Sequence, residues 1–254
     1  MFLWTPDTGA VSLNMQPNLV NAYNIGMSAD GSTVVGSRES GFSRYAARWV
    51  RGVGVELLNE VGGRYEHAFA CSADGAVVVG RTDYSVGSWQ AFRWTRETGI
   101  VGLGTLGGNT STAFGVSGDG SVVVGTSSGM SGPLSAFRWT PTGGMENLNI
   151  TYAGLLTGVS LLISARAVSP DGRYIVGMGL NAETGRQEAF LLDTGFPLRG
   201  DVNRDGCVDD ADLLAVLFTF GERGYRNADI DWNGVIDDGD LLQALFHFGD
   251  GCEE

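Results

Sequence analysis

The chain has 254 residues, with 16 basic and 29 acidic side chains and a formal net charge of −13. Because the sequence contains no basic stripe that could neutralise phosphates, we expect no nucleic-acid partner. No run approaches the roughly 18 consecutive apolar residues of a transmembrane helix, so we expect no membrane span.

The first residues copy the interior of a repeat that recurs later. The segment Met1-Phe2-Leu3-Trp4 has neither the basic region nor the apolar region of a signal peptide. We therefore expect that the sequence is truncated at its N-terminus.

The repeat predicts a mainly β fold. Its first anchor is a tryptophan every 45 residues, at Trp4, Trp49, Trp94 and Trp139. Its second anchor is Ser-x-Asp-Gly before a β-branched run, beginning at Ser28, Ser72, Ser117 and Ser169. Asp-Gly between apolar runs indicates a hairpin, and four strand-length segments fit in each repeat. Residues 1–195 are therefore predicted to form a β-propeller of about four four-stranded blades.

The repeats contain an Ala-Phe pair at equivalent positions, Ala91-Phe92 and Ala136-Phe137. Residues 1–195 resemble the HAF family of extracellular repeats. The last repeat, with an insertion at 158–165 and an altered segment at 188–192, resembles the terminal unit of that family. The resemblance implies structural motifs and indicates little about chemistry.

The propeller sequence does not indicate an enzyme. The repeated aspartates are predicted turn formers. The segment Tyr65-Glu66-His67 breaks the repeat, but no spacing links it to a reaction and no nucleophile-elbow sequence is present. Aromatic residues in variable segments leave two interpretations open, stacking on a carbohydrate or covering of blade edges, at Phe42, Tyr84 and Trp89.

Two acidic segments after residue 200 have the spacing of calcium loops. Side chains with oxygen occupy loop positions 1, 3, 5, 9 and 12, glycine occupies position 6, and position 7 offers a backbone carbonyl. The predicted ligands are Asp201, Asn203, Asp205, Cys207, Asp209 and Asp212, and then Asp229, Asp231, Asn233, Val235, Asp237 and Asp240. Since calcium takes about six to eight oxygens, the sequence predicts two Ca²⁺.

A helix is predicted after each loop, whereas Pro197 and the glycines around it exclude a helix before the first. Duplicated loop–helix units over residues 200–252 resemble a type I dockerin, the module that plugs extracellular proteins into cohesin-bearing scaffolds. This resemblance, together with the concentration of acidic residues after residue 200, predicts a C-terminal domain at 196–254. Loop positions 10 and 11 carry a hydroxyl pair in many dockerins but read Asp210-Ala211 and Asp238-Gly239 here, which leaves the partner's identity open.

The two helices are predicted to have a core face and a docking face. The predicted core contains Leu213, Val216, Leu217, Phe220, Leu241, Ala244, Leu245 and Phe248. The predicted docking residues are Asp210, Ala211, Leu214, Phe218, Asp238, Gly239, Leu242 and Phe246, with Trp232 as a further partner anchor. Packing of these apolar stripes onto the last blade is the alternative.

The positions of two cysteines predict a disulfide bond. Cys207 and Cys252 bracket the C-terminal module, so an oxidising compartment would join them; two free thiols are the alternative. Cys71 aligns with apolar positions of the other repeats and is predicted to be a core residue.

These features predict a secreted, non-catalytic repeat protein attached through a calcium-dependent module to a cohesin-type scaffold or a cell-surface assembly. One alternative is an accessory subunit or remnant of a polysaccharide-degrading glycoside hydrolase, because dockerins usually accompany such catalytic domains. A second alternative makes the calcium module an intramolecular C-terminal cap.

Overall fold

The computed structural model describes residues 2–5, 9–12, 26–40, 43–58, 65–85, 87–130, 133–156, 158, 160–195 and 197–252. Within these residues the chain is mainly β, and its two longest helices follow residue 200. Every helix in this part of the chain is too short or too polar to cross a membrane.

Three consecutive four-stranded antiparallel blades form the middle of the chain. The first blade contains β3 (Gly26–Met27), β4 (Thr33–Ser40), β5 (Ser43–Val50) and β6 (Gly54–Leu57). The second contains β7 (Glu66–Cys71), β8 (Val78–Ser85), β9 (Ser88–Thr95) and β10 (Gly99–Gly102). The third contains β11 (Gly107–Val116), β12 (Val123–Gly129), β13 (Leu134–Thr140) and β14 (Gly144–Asn147).

The two ends of the repeat region depart from the predicted four-stranded blade. A strand pair, β1 (Phe2–Thr5) and β2 (Gly9–Ser12), precedes the first blade, and its register matches the third and fourth strands of the later blades. A short helix, α1 (Leu148–Thr151), and a 3-10 turn (Ala153–Leu155) follow the third blade. The fourth blade has three strands among the described residues, β15 (Leu161–Val168), β16 (Tyr174–Asn181) and β17 (Arg186–Asp193). After β17 the chain turns into the C-terminal module, so it adds no fourth strand.

The repeated Ser-x-Asp-Gly motif forms the hairpin between the first two strands of each blade. In the second blade, Ser72 Oγ donates to Asp74 Oδ1 at 2.6 Å, and the same oxygen accepts from Ala76 N at 2.9 Å. Val77 N donates to Ser72 Oγ at 2.9 Å, and Gly75 takes a left-handed φ of 70°. Equivalent bonds form in the other three hairpins. The repeated aspartates are therefore turn formers, as the sequence predicted.

Adjacent hairpins are joined by backbone hydrogen bonds at one end of the strands. Ala29 N donates to Ala73 O at 2.9 Å, Ala73 N donates to Gly118 O at 2.9 Å, and Gly118 N donates to Pro170 O at 2.8 Å. We call Ala29, Ala73, Gly118 and Pro170 the turn ring. It connects all four blades at the same end, and the C-terminal module lies against this end.

A glycine in the second strand makes room for the repeat phenylalanine. A Cβ on Gly125 would lie 2.0 Å from Thr112 O and 2.7 Å from Cε1 of Phe137. The same carbonyl and ring contacts surround Gly80 with Phe92, and Gly177 with Phe190. The final glycine of the Val-Val-Val-Gly motif is thus required by the close approach of the neighbouring first strand.

Arginine and tryptophan from the third strand join neighbouring blades. Arg48 donates from Nη1 to Gly75 O in the next blade at 3.0 Å, and its guanidinium lies 4.5 Å from the ring centroid of Trp94. Arg93 makes the equivalent contact with the third blade, where its Nε donates to Gly120 O at 3.1 Å. Trp49 and Trp94 are buried as predicted, whereas Trp139 is only partly buried. Cys71 is partly buried against the same core, and burial raises the pKa of its thiol to about 12.

Candidate metal-binding module

Each acidic loop leads directly into a short helix. The helices are α2 (Asp210–Phe218) and α3 (Asp238–Phe246). In the first unit, Asp209 is the N-cap, and the side chain of Asp212 accepts from the backbone N–H of Asp209 at 2.9 Å, which completes a capping box. Asp237 and Asp240 repeat this arrangement. The residues at loop positions 9 and 12 therefore also define where each helix begins.

Side chains at the odd positions hold the backbone of each loop. In the second loop, Asp229 Oδ2 accepts from Gly234 N at 2.9 Å, and Asp231 Oδ1 accepts from Asn233 N at 3.0 Å. Asn233 Oδ1 accepts from Val235 N at 2.8 Å. The first loop forms the corresponding bonds from Asp201, Asn203 and Asp205. The two loops thus share one local structure, with Cys207 and Val235 directly after the loop glycines.

The second loop gathers three carboxylates around one position. Oxygens of Asp229, Asp231 and Asp240 lie within 4.8 Å of one another. Asp229 and Asp240 are fully buried, and Asp229 Oδ1 has no hydrogen-bond partner. Burial raises the pKa of Asp229 to about 6, with Asp240 and Asp231 adding repulsion. A buried carboxylate oxygen without a partner is costly, and a bound cation would remove that cost.

The first loop also has four ligand aspartates, but one of them, Asp205, is at position 5 rather than position 3. Its position 3 is Asn203, so the group equivalent to the three carboxylates of the second loop contains only Asp201 and Asp212. Both are buried, and burial raises the pKa of Asp201. The oxygens of Asp212 accept from Val202 N at 2.8 Å, Asn203 N at 3.1 Å and Asp209 N. This carboxylate is fixed in place by the loop that it closes.

A disulfide fastens the two ends of the module. Cys207 and Cys252 are joined, with their Cα atoms 4.6 Å apart. Beside them, Val208 N donates to Asp250 O at 3.0 Å, and Gly249 N donates to Val208 O at 2.8 Å. The last residues therefore pack against the end of the first loop, through a covalent bond and a short backbone ladder.

The core of the module is smaller than the helix periodicity predicts. Val216 and Ala244 are fully buried, and the core also contains Val202, Val208, Ala228 and Ile236. Of the other predicted core residues, Leu213 and Leu241 are partly buried, but Leu217, Phe220, Leu245 and Phe248 are each about half exposed. Two nine-residue helices bury only their common seam, because no third layer covers the adjacent faces.

The predicted docking faces are exposed. Phe218 is 81% exposed and Phe246 is 82% exposed, and they occupy equivalent positions at the ends of α2 and α3. Leu214 and Leu242 are about half exposed on the same faces. Of the bordering residues, Asp210, Ala211 and Asp238 are exposed and Gly239 is partly buried. These apolar stripes do not pack onto the last blade.

The module instead contacts the propeller through position 4 of each loop. Arg204 Nη2 forms a 2.8 Å ion pair with Asp119 Oδ2, and its Nη1 donates to Ser121 Oγ at 2.8 Å. Trp232 packs so closely on Gly118 of the turn ring that an added Cβ would lie 2.2 Å from Cζ3 of the indole. The predicted anchor for an external partner therefore contacts this chain's own propeller.

A cavity of about 210 Å³ lies between the module and the propeller. On the propeller side it is lined by the last residue of each first strand, namely Met27, Cys71, Val116 and Val168. On the module side it is lined by Tyr225 and Trp232. The module thus covers the mouth of the propeller at the turn ring.

A second depression, of about 310 Å³, lies at the opposite end of the strands, beside the β8–β9 hairpin. It is lined by Ser88, Trp89, Gln90, Thr105, Gly108 and Asn109, so all its side chains are neutral. Arg81 lies 5.2 Å from the ring centroid of Trp89. Within the described residues the side-chain amides of Gln90 and Asn109 form no hydrogen bond. Phe42 and the side chain of Tyr84 lie outside the described residues.

The residues that break the repeat, Glu66 and His67, are buried between the first and second blades. Glu66 Oε2 accepts from Ala46 N at 3.3 Å, and His67 Nε2 lies 3.2 Å from Nη1 of Arg44. The ring of His67 stacks on Phe69. These contacts connect the two blades.

Comparisons with known proteins place the fold. No protein-family model and no curated protein sequence matches the chain. TolB from Acinetobacter baumannii superposes with a TM-score of 0.52 at 19% identity, over 76% of this chain and 45% of that protein. A putative TolB from Agrobacterium tumefaciens gives 0.48 at 15% identity, over 76% and 80% of the two chains. A prolyl endopeptidase gives 0.47 at 14% identity, over 79% and 32%. At these identities the first likeness shows the β-propeller fold alone, and the chain spans less than half of that TolB.

Proposed function

We propose that this protein is a non-catalytic β-propeller of HAF-type repeats that a dockerin-like, calcium-binding module attaches to an extracellular assembly. The observation that carries the proposal is that different parts of the module contact the propeller and face the solvent. Its loops contact the chain's own propeller, while equivalent apolar faces on α2 and α3 stay exposed. An intramolecular cap alone would give no reason for the exposed faces.

Calcium is the metal that fits the loops best. The donors are carboxylate, amide and backbone oxygens, which a hard cation prefers, and a glycine provides the turn at position 6 of both loops. In the second loop Asp229, whose buried Oδ1 has no hydrogen-bond partner, belongs to a group of three carboxylates. Two Ca²⁺, one per loop, would offset part of the negative charge of these groups. The disulfide between Cys207 and Cys252 is consistent with an extracellular site of action.

The exposed helix faces suggest a protein partner. Phe218 and Phe246 are large apolar side chains that a monomer would not expose at matching positions without a role. Leu214 and Leu242 extend each stripe. A cohesin-type scaffold domain is the partner that the dockerin resemblance implies. Because the two halves are nearly equivalent, the module would bind in either of two orientations.

Catalysis is not part of the proposal. The repeated aspartates are used in hairpins, and Glu66 and His67 are used in a contact between blades. Some proteins of similar fold are peptidases, but their likeness to this chain is confined to the fold. An accessory role beside a polysaccharide-degrading enzyme agrees with the same attachment.

Binding to a purified type I cohesin panel tests the attachment. The full chain in excess calcium is expected to bind at least one cohesin, and the chelator EGTA is expected to abolish binding. The double variant Phe218→Asp/Phe246→Asp should not bind, because a charge replaces the most exposed apolar residue of each stripe. Each single variant should keep binding, since one equivalent face remains.

Ile150→Asp is the matched control, because Ile150 is 75% exposed on the propeller side of the chain. It is expected to bind like the unchanged protein. Surface plasmon resonance gives the affinities. Absence of binding to every cohesin, or equal binding by the double variant, contradicts the proposed attachment.

The depression at Trp89 favours a second role, binding of a neutral saccharide. An aromatic ring beside neutral amides and hydroxyls can stack on a sugar ring and bond its hydroxyls, and no charged side chain lines the site. Gln90 and Asn109 supply amides that no group of the described chain uses. The site lies at the end of the propeller opposite to the module.

Electrophoresis through gels that contain soluble neutral polysaccharides tests this role. A β-glucan, a xylan and a galactomannan are suitable probes. At least one is expected to slow migration of the full chain, and Trp89→Ala should remove the retardation. Tyr174→Ala is the control, because Tyr174 is an exposed aromatic at the module end. Retardation that Trp89→Ala leaves unchanged would place any sugar binding elsewhere.

A further inference from the structure

We propose that calcium binding seats the C-terminal module as a lid on the mouth of the propeller, so that the two events form one coupled equilibrium. This inference rests on the proposed calcium binding. The observation behind it does not involve the docking faces: Arg204 and Trp232, which both contact the turn-ring end of the propeller, are the position-4 residues of the two proposed calcium loops.

Both position-4 residues have a backbone that the loop must enforce. The φ angle is 63° at Arg204 and 59° at Trp232, and no other non-glycine residue of the described chain has a positive φ. This left-handed conformation is unfavourable for a residue with a side chain. Each loop therefore needs its internal bonds to keep these side chains directed at the propeller.

The bonds that enforce this conformation come from the proposed ligands. Next to Arg204, Asp205 N donates to Asp201 Oδ1 at 3.1 Å. Next to Trp232, Asn233 N donates to Asp231 Oδ1 at 3.0 Å. Without a cation the clustered carboxylates repel one another, which would loosen these bonds. Loss of calcium is therefore expected to release both side chains from the propeller.

The propeller side of the contact is rigid. Gly118, under Trp232, both accepts and donates a backbone bond within the turn ring. Asp119, the partner of Arg204, is held in the third hairpin by Ser117, whose Oγ donates to it at 2.6 Å. Such a preformed surface favours the loop conformation that fits it. Coupling is reciprocal, so a change in the propeller must alter calcium affinity.

Gly118→Ala tests the coupling without touching a calcium loop. The added Cβ would occupy the space of the Trp232 indole. Isothermal titration of the full chain with calcium is expected to show affinity at one site about tenfold weaker than in the unchanged protein, within the usual range for coupled sites. Gly154→Ala is the control, because no atom lies within 4 Å of its added Cβ.

A double-mutant cycle separates the contact from damage to the propeller. Trp232→Ala removes the indole, so Gly118→Ala should weaken calcium binding no further in that background. If Gly118→Ala has its full effect in both backgrounds, the effect does not pass through Trp232 and the coupling is wrong. Near-ultraviolet circular dichroism of each variant verifies that the propeller is folded.

The rate at which a reagent modifies Cys71 measures whether the module is seated on the propeller. Cys71 is the free cysteine of the chain, since Cys207 and Cys252 form the disulfide, and it lines the cavity under the module. Labelling with a maleimide is expected to be slow in calcium and at least several times faster in EGTA. Gly118→Ala should accelerate labelling even in calcium.

The outcomes distinguish this inference from the proposed function. If titration detects no calcium uptake by any variant, the proposed calcium binding fails. If calcium binds but Gly118→Ala binds it with unchanged affinity, and Cys71 reacts equally fast with and without calcium, calcium binding stands and the lid is wrong.

Discussion

Replacing Gly125 with alanine is expected to lower the stability of the propeller by about 3 kcal/mol or more. The added Cβ would lie 2.0 Å from the backbone oxygen of Thr112 and 2.7 Å from the ring of Phe137. Because a backbone carbonyl cannot rotate away as a flexible side chain can, the first and second strands of the third blade must separate. Thermal unfolding should show a midpoint lower by roughly 10 °C for a chain of this size.

Gly154→Ala is the matched control for this change, since its added methyl group would meet no atom within 4 Å. Its midpoint is expected to stay within about 2 °C of the unchanged protein. Gly80→Ala and Gly177→Ala should behave like Gly125→Ala, because both sites have the same carbonyl and phenylalanine contacts. An unchanged midpoint for Gly125→Ala would mean that the strands are packed less closely than described.

Removing calcium is expected to unfold the two helices of the C-terminal module while the propeller stays folded. The carboxylates of Asp229, Asp231 and Asp240 lie within 4.8 Å of one another, and the core beneath them is small. Without a cation their repulsion outweighs the burial that this core provides. Far-ultraviolet circular dichroism of the full chain should lose helical signal in EDTA and keep its β signal.

Returning calcium should restore the signal, and the same concentration of magnesium should restore less, because Mg²⁺ demands a smaller and more regular shell of oxygens. Asp229→Asn/Asp231→Asn provides a second control, since it reduces the charge of one loop and leaves the other intact. That variant should take up one calcium ion less by titration. Helical signal that EDTA does not change would show that the module is stable without metal.

Much of the fold follows from the 45-residue spacing of the tryptophans. Trp49 and Trp94 are buried in equivalent strands, and the Asp-Gly pairs form the hairpins that the repeat predicts. The loops also follow from the sequence, because each side chain at an odd position has a defined bond to make. These features depend on local or periodic contacts, so a pattern of residue types is enough to predict them.

The contact between the module and the propeller does not follow from any pattern. Position 4 of a calcium loop is not a ligand position, so nothing in the sequence assigns Arg204 or Trp232 a contact within this chain. Their partners, Asp119 and Gly118, are ordinary members of a hairpin motif that occurs four times. Only the three-dimensional fold determines that the module contacts the third copy of this hairpin motif.

Periodicity also failed to predict how deeply each helix residue is buried. It assigned Leu217 and Leu245 to the core face, yet both are half exposed. A helix pattern identifies a face, whereas burial depends on the number of layers that cover it. Likewise, the prediction of four-stranded blades does not hold for the last blade, which has three strands among the described residues.

The unfinished fourth blade matters for solubility. Among the described residues the eight-residue strand β17 pairs only with β16, so no described strand covers its outer edge. Such an edge is a template for fibril-like addition of another chain, and charged side chains along it are a usual protection. Arg186, Glu188 and Asp193 are exposed on this strand, beside the equally exposed Leu191. We therefore expect neutral substitutions at Glu188 to promote aggregation of the purified protein, because they remove a charge from this edge.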